Sequence, residues 1–148
     1  MSKPIDFATT LAAVTQTHQV FMAHVLGPYE LTQLQYHVLG TLAERDYPIT
    51  ISQLATRIGM EQPAATKIVH KFLLRELVNV TPSSVDKRIK FVALTPQGRA
   101  LEFKIQEDMR PAYEQMMNDL GNGASEWLMR DLSRLNSHIN SFLEHAAA

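Results

Sequence analysis

Cysteine is absent from all 148 residues. That removes disulfides, thiolate metal sites, cysteine nucleophiles and thiol redox sensing, and it makes a reducing cytosol the compatible setting. Long apolar runs are missing as well: none approaches the ~18 residues of a membrane span. The start, Met1-Ser-Lys-Pro-Ile-Asp6, is polar and leads into a segment broken by Thr, Gln and His, unlike the apolar stretch of a signal peptide. A soluble, cytoplasmic protein is expected. There is no Gly-rich phosphate loop, no nucleophile elbow and no pair of carboxylates in an evident cleft, so no enzyme is predicted. Internal repeats and low-complexity linkers are lacking too, and the length is that of a single domain, 1–148.

An excess of charge of one sign is also missing, since the formal net charge is −1. The distribution says more than the sum. Between residues 51 and 90 stand seven basic side chains (Arg57, Lys67, Lys71, Arg75, Lys87, Arg88, Lys90) against three acidic ones (Glu61, Glu76, Asp86), a net of +4 that leaves −5 for the remainder. A basic middle in an acidic frame suits a protein that holds one face against phosphate and keeps the others off it.

The apolar spacing of Ile5, Ala8, Leu11, Ala12, Val14, Phe21, Val25 and Leu26 predicts a long helix ended by Gly27-Pro28. Thr32-Gln-Leu-Gln35 has capping-box spacing and opens a second helix running to about Arg45, where Asp46-Tyr-Pro48 breaks it. Thr50-Ile-Ser-Gln53 repeats that spacing, starting a short helix from Ile51 to Ile58 that Gly59 closes. The next helix runs from about Pro63 to Arg75, with Pro63 in the first turn and an apolar stripe of Ala65, Ile68, Val69, Phe72 and Leu73. After the middle of the chain, Thr95 caps a helix that Pro111 should kink, Gly121-Asn-Gly123 ends it, and Ser125 caps a last helix before a frayed tail at His145–Ala148.

The outer face of the 63–75 helix carries Gln62, Ala64, Thr66, Lys67, His70 and Lys71. Two short helices across a tight turn, the second basic on its outer face, are what a major groove accepts. Val78–Thr81 and Ile89–Leu94 have strand composition, and Pro82–Arg88 between them has turn chemistry with charge at Asp86, Lys87 and Arg88. An Arg on such a tip can enter a narrow minor groove, with Asp86 holding the Arg88 guanidinium; the bland alternative is a surface turn ion pair. The expected fold is therefore mainly α with a small β-wing, about six helices and two to three short strands, built around a winged helix-turn-helix.

The residues Leu31-Thr-Gln-Leu-Gln35, Gln53-Leu-Ala55, Asp86-Lys-Arg88 and Leu94-Thr-Pro-Gln-Gly98, in this order, resemble the MarR family of bacterial transcriptional regulators. The resemblance covers nearly the whole chain and is strongest from 31 to 99. It implies a homodimer, with a DNA-binding lobe at 32–95 and a helical dimerisation region at 1–30 and 96–148, that reads a near-palindromic operator. It also implies a repressor relieved by a small, often phenolic or aromatic, effector, for which Phe21, Met22, Tyr36 and His37 are the pocket candidates. Two departures stand out. The family pattern of Gly-Leu-Val followed by a basic residue is here Glu76-Leu-Val-Asn-Val80, so Glu76 lacks the easy left-handed helix end of Gly and Val80 lacks a phosphate-contacting charge. The lobe could then close differently there, with backbone affinity resting on Arg57, Lys67, Lys71 and Arg88.

Six His residues raise a metal reading. His18 and His24 do not stack as an i, i+4 pair, and residues 99–120, where some relatives place a zinc-sensing His cluster, contain no His. No metal and no cofactor are predicted, and the Met residues at 22, 109, 116, 117 and 129 read as helical core or dimer seam rather than as a pocket. The rival to a DNA-reading protein is a helical protein-interaction module on a winged-helix scaffold, supported by the two departures and the acidic total.

Overall fold

A computed structural model describes residues 4–121 and 123–146. The described residues form six α-helices, a short 3-10 turn (Gly27–Tyr29) and a three-stranded antiparallel sheet: α1 (Pro4–Leu26), α2 (Gln33–Ala43), β1 (Ile49–Thr50), α3 (Ile51–Ile58), α4 (Gln62–Leu74), β2 (Val78–Pro82), β3 (Lys90–Leu94), α5 (Pro96–Asp119) and α6 (Ala124–Ala146). This is a winged-helix fold. The chain divides into two compact units between Asp108 and Met109, so α5 contributes residues to both. No described helix is long and apolar enough to cross a membrane.

In the first unit both expected capping boxes are present. Thr32 accepts from the Gln35 amide while the Gln35 side chain accepts from the Thr32 amide, and Thr50 and Gln53 do the same. Each box satisfies two of the orphan amides of a helix start. Gly59 closes α3 with φ 71. The buried face of α4 is Ala65, Ile68, Val69 and Phe72. Leu73, expected on that stripe, is exposed, because α4 buries a narrow i, i+3, i+4, i+7 face and Leu73 falls beside it. These residues pack a core shared with Leu26, Val38, Leu39, Leu54 and Ile105.

The ribbon pairs Val78 with Leu94 through Pro82 with Lys90. A third strand, β1, pairs Ile49 with Val92 and Thr50 with Phe91, giving the order β1-β3-β2. Glu76 does not make the lobe close differently. It adopts the left-handed conformation itself (φ 57), the Leu77 amide donates to Phe72 O (2.9 Å) and the Glu76 amide to Leu73 O (3.0 Å). That is the two-bond left-handed helix end that Gly usually provides. Thr95 holds it from the other side: its hydroxyl donates to Glu76 O (2.7 Å), its amide donates to Leu77 O (3.0 Å), and its Oγ1 accepts from the Gly98 amide as the cap of α5 (3.0 Å). A Cβ at Gly98 would lie 2.1 Å from Leu77 O, so the Gly in Leu94-Thr-Pro-Gln-Gly98 is required by close backbone approach.

The α1–α2 corner has a second left-handed residue, Glu30 (φ 54). Arg75 donates to the carbonyls of Tyr29 (3.0 Å) and Glu30 (3.4 Å), tying the end of α4 to this corner. The Tyr29 hydroxyl in turn donates to Asp108, a bond that raises the Tyr29 pKa, and Lys104 lies 5.7 Å over the Tyr29 ring.

α5 continues through Pro111 as one helix. The turn after it contains Gly121 (φ 86) and Gly123 (φ 80), with Asn122 outside the described residues. α6 begins at Ala124, so Ser125 lies in its first turn rather than at its cap. His145 and Ala146 belong to α6, and Ala147 and Ala148 lie outside the described residues. None of the residues of α6 is buried, although it carries Trp127, Leu128, Leu132, Ile139, Phe142 and Leu143.

Candidate nucleic-acid interface

Of the ten residues expected at a DNA surface, nine are exposed: Arg57, Gln62, Thr66, Lys67, His70, Lys71, Asp86, Lys87 and Arg88. Ala64 is half-buried. Three of them, Gln62, Thr66 and Arg88, are brought to one groove of about 560 Å³ together with Thr50, Ser52 and Lys90. The start of α3, the start of α4 and the second arm of the wing thus face the same space. Its polar groups are hydroxyls, an amide, a guanidinium and an ammonium, and no carboxylate lines it. Such a set donates to anionic oxygens.

Local sequence explains each placement. The Thr50–Gln53 box fixes where α3 begins and so places Ser52 in its first turn. Pro63 sets the start of α4, and the Thr66 hydroxyl donates to Gln62 O (2.9 Å), which holds its rotamer. In the wing the Ser83 amide donates to Ile89 O (2.8 Å), and Ser83 Oγ accepts from the amides of Val85 (3.2 Å) and Asp86 (3.5 Å). Asp86 is placed differently from expectation. Its Oδ1 accepts from the Arg88 backbone amide (2.9 Å), and its carbonyl accepts from the Ile89 amide. A short carboxylate two residues back reaches the amide before the guanidinium, so Asp86 shapes the turn and leaves the Arg88 head free.

Lys67, His70 and Lys71 lie farther along α4, Arg57 is in the last turn of α3, and Lys87 is at the wing tip. Arg75, counted among the basic residues of the middle, is instead engaged by the corner carbonyls. Sequence reading did not single out Thr50, Ser52 or Lys90 as part of the surface. The capping box was a usable signal for the first two, since it fixes the first turn of α3; Lys90 follows only from the strand register.

The four pocket candidates do not share one environment. Met22 is core, at 4% exposure; Phe21 is half-buried with its ring 6.3 Å from that of His18; His37 is exposed. Tyr36 lines a cavity between α2 and α5. Among the described residues, no group of three or more His, Asp or Glu side chains is placed to hold a metal ion.

Residues 31–90 match the model of the MarR family. The HTH-type transcriptional regulator TcaR of Staphylococcus aureus (strain Newman) is 29% identical over 119 residues, 79% of this chain and 78% of TcaR. Among solved structures, the transcriptional regulator BldR from Sulfolobus solfataricus aligns with a TM-score of 0.76 at 27% identity, over 93% of this chain and 99% of BldR. A mutant MarR from E. coli complexed with operator DNA aligns with a TM-score of 0.75 at 20% identity, over 88% of this chain and 94% of that one.

Proposed function

The chain belongs to the MarR family and is a DNA-binding transcriptional regulator, and from that premise we propose that it acts as a homodimer on a near-palindromic operator, as a repressor relieved by a small-molecule effector. The observation that carries the DNA surface is the acid-free groove where α3, α4 and the wing converge on Ser52, Gln62, Thr66, Arg88 and Lys90. In this reading residues 32–95 are the DNA-binding lobe. Gln62, Thr66, Lys67, His70 and Lys71 face the major groove, with Ala64 allowing close approach of the backbone. Arg88 enters the minor groove on a turn shaped by Asp86, and Arg57 and Lys87 add phosphate contacts, joined by Ser52 and Lys90.

Residues 1–30 and 96–148 form the dimerisation region. Supporting this, α6 exposes Trp127 and Phe142 and buries nothing, and α1 exposes Phe7, Val14 and Val20. A monomer does not ordinarily keep so much apolar surface in water. Two lobes separated by one turn of duplex, about 34 Å, would read successive half-sites. The similar structure of a mutant MarR complexed with operator DNA supports operator binding. The interaction-module alternative loses one of its three supports, because Glu76 closes α4 in the usual way.

The test is a mobility shift with fragments of the region upstream of the protein's own gene at two salt concentrations. Fragment-selective retention that falls steeply with salt is expected. Arg88→Ala should weaken it and leave the oligomer intact; a variant that binds as tightly as wild type across the salt range would remove the wing from the interface.

A further inference from the structure

Arg75 follows the last residue of α4, and its guanidinium donates to Tyr29 O (3.0 Å) and Glu30 O (3.4 Å) at the α1–α2 corner. The corner is itself fixed: the Glu30 amide donates to Gly27 O (3.0 Å), the Leu31 amide to Leu26 O (3.3 Å), and Leu26 is fully buried. From there the Tyr29 side chain reaches α5, where its hydroxyl donates to Asp108 and Lys104 lies over its ring. A carboxylate acceptor makes this a charge-assisted bond, and the ammonium favours the same ring placement. The start of α5 returns the connection, because Gln97 Nε2 donates to Arg75 O (3.4 Å) and the Thr95 hydroxyl to Glu76 O (2.7 Å). Between these ends α5 is seated by Ile105, fully buried, and by Glu102, 6% exposed, whose carboxyl is pushed up by burial against the Gln106 bond and Arg99. The contacts thus close a ring within the first unit, from Arg75 through Tyr29 to Asp108, along α5 to Gln97 and back to Arg75. Asp108 is exposed and Tyr29 half-buried, and neither lines the groove where α3, α4 and the wing converge.

We propose that Tyr29 is a positioning residue for DNA recognition: it grips Asp108 with its hydroxyl and Arg75 with its carbonyl, and so holds the end of α4 where Gln62, Thr66 and Lys67 meet base edges. The proposal rests on the DNA-binding reading above. Elsewhere α4 is held by the apolar face of Ala65, Ile68, Val69 and Phe72, and its N-cap, Glu61, makes no side-chain hydrogen bond. Apolar packing is non-directional, so it resists separation better than rotation or sliding. Side chains that read base edges have to be held to within about 0.5 Å. The directed bonds at the end of α4 supply that restraint. Phosphate contacts set non-specific affinity and its salt dependence, whereas base contacts set selectivity. A brace that touches neither phosphate nor base acts on selectivity alone.

Tyr29→Phe removes the hydroxyl and nothing else. It is compared with wild type on the fragment retained in the mobility shift and on a scrambled fragment of equal length, across a salt titration and where urea titration shows both proteins fully folded. Affinity for the retained fragment should fall at least about fivefold, while affinity for the scrambled one stays within about twofold and the salt slope is unchanged. Asp108→Asn keeps an oxygen that accepts from the hydroxyl and should restore near-normal selectivity. Asp108→Leu should match Tyr29→Phe, and the double variant Tyr29→Phe with Asp108→Leu should be no worse than either alone. In the DNA-free full-length protein, amide exchange over residues 70–77 should quicken in Tyr29→Phe and stay as in wild type in Asp108→Asn. Unchanged selectivity in Tyr29→Phe, equal losses on both fragments, an Asp108→Asn as defective as Asp108→Leu, or additive losses in the double variant would each overturn the positioning role. A wild type that selects no fragment would sink the operator reading and the recognition role with it. The exchange measurement decides the brace separately: unaltered exchange over 70–77 in Tyr29→Phe would show that the hydroxyl does not hold α4 at all.

Discussion

Glu76 holds a left-handed conformation that costs a residue with a Cβ roughly 1–2 kcal/mol, part of which glycine would lose again as extra freedom in the unfolded chain. Glu76→Gly should therefore stabilise the protein by about 0.5–1 kcal/mol, seen as a higher urea midpoint with unchanged slope. Gly98→Ala should do the reverse, by about 3 kcal/mol, because its Cβ would strike the Leu77 carbonyl and neither backbone can move without breaking the Thr95 bonds. Glu102 gives a pH signature whose sign follows from its raised pKa. The folded state holds the Glu102 proton more tightly than the unfolded chain does. Its contribution is thus fully present below the unfolded carboxylate value, near ~4.3, and is lost as pH rises through the folded value. Glu102→Gln should remove that fall, so that between mildly acidic and neutral pH the variant loses less stability than wild type in parallel urea titrations. An unchanged pH profile would mean that the carboxylate is better solvated than its burial indicates.

Helix boundaries were the most legible feature of the sequence, because what sets them is local. Both capping boxes, the Gly59 end, the Pro63 start and the Thr95 cap involve residues at most four apart and were read where they occur. What sequence could not supply are the contacts across distance. The two-residue strand β1 carries no signal of its own and exists because Val92 and Phe91 present an open edge to it. Arg75 counts among the basic residues of the middle, yet it is bound to the Tyr29 and Glu30 carbonyls 45 to 46 residues away, and Arg99 likewise reaches the Ala43 and Arg45 carbonyls 54 to 56 residues away. Nine of the ten residues named from face and charge are exposed, while the convergence of Ser52 and Lys90 on the same groove required the fold. The distinction between structural and surface cations is measurable. Arg75→Ala should lower stability by about 2 kcal/mol through loss of its bonds to the Tyr29 and Glu30 carbonyls, without reducing the salt slope of DNA binding. Lys67→Ala and Lys71→Ala should change stability by less than about 0.5 kcal/mol and weaken DNA binding, each lowering the slope by about one. If Arg75→Ala lowered the slope as well, the guanidinium would have to reach phosphate in the complex.

At the scale of the whole molecule, a net charge of −1 is compatible with DNA binding only because the positive charge is concentrated in the middle of the sequence and much of it is exposed. A single lobe offers few cations and a short recognition helix, which favours a bivalent arrangement: the second lobe binds intramolecularly once the first has found its half-site, and linkage of that kind multiplies affinity by about 10²–10⁴. In the proposed dimer, the strength of regulation would depend on α1 and α6 as much as on α4. Introducing charge on the exposed apolar residues of α6, as in Leu132→Asp combined with Ile139→Asp, should leave the lobe folded while sedimentation shows a monomer. Because those two positions lie seven residues apart, they fall on nearly the same face of the helix, so a pair of buried aspartates would disfavour any self-association through that face. Affinity for a full operator should fall by at least about a hundredfold and the salt slope by about half, while affinity for a single half-site stays as in the wild type. A double variant that remained a dimer would place the interface away from these residues, and the exposed Phe7 and Val14 of α1 would be the next positions to charge. A monomer that kept full operator affinity would show instead that one lobe suffices, and the requirement for a palindrome would go with it.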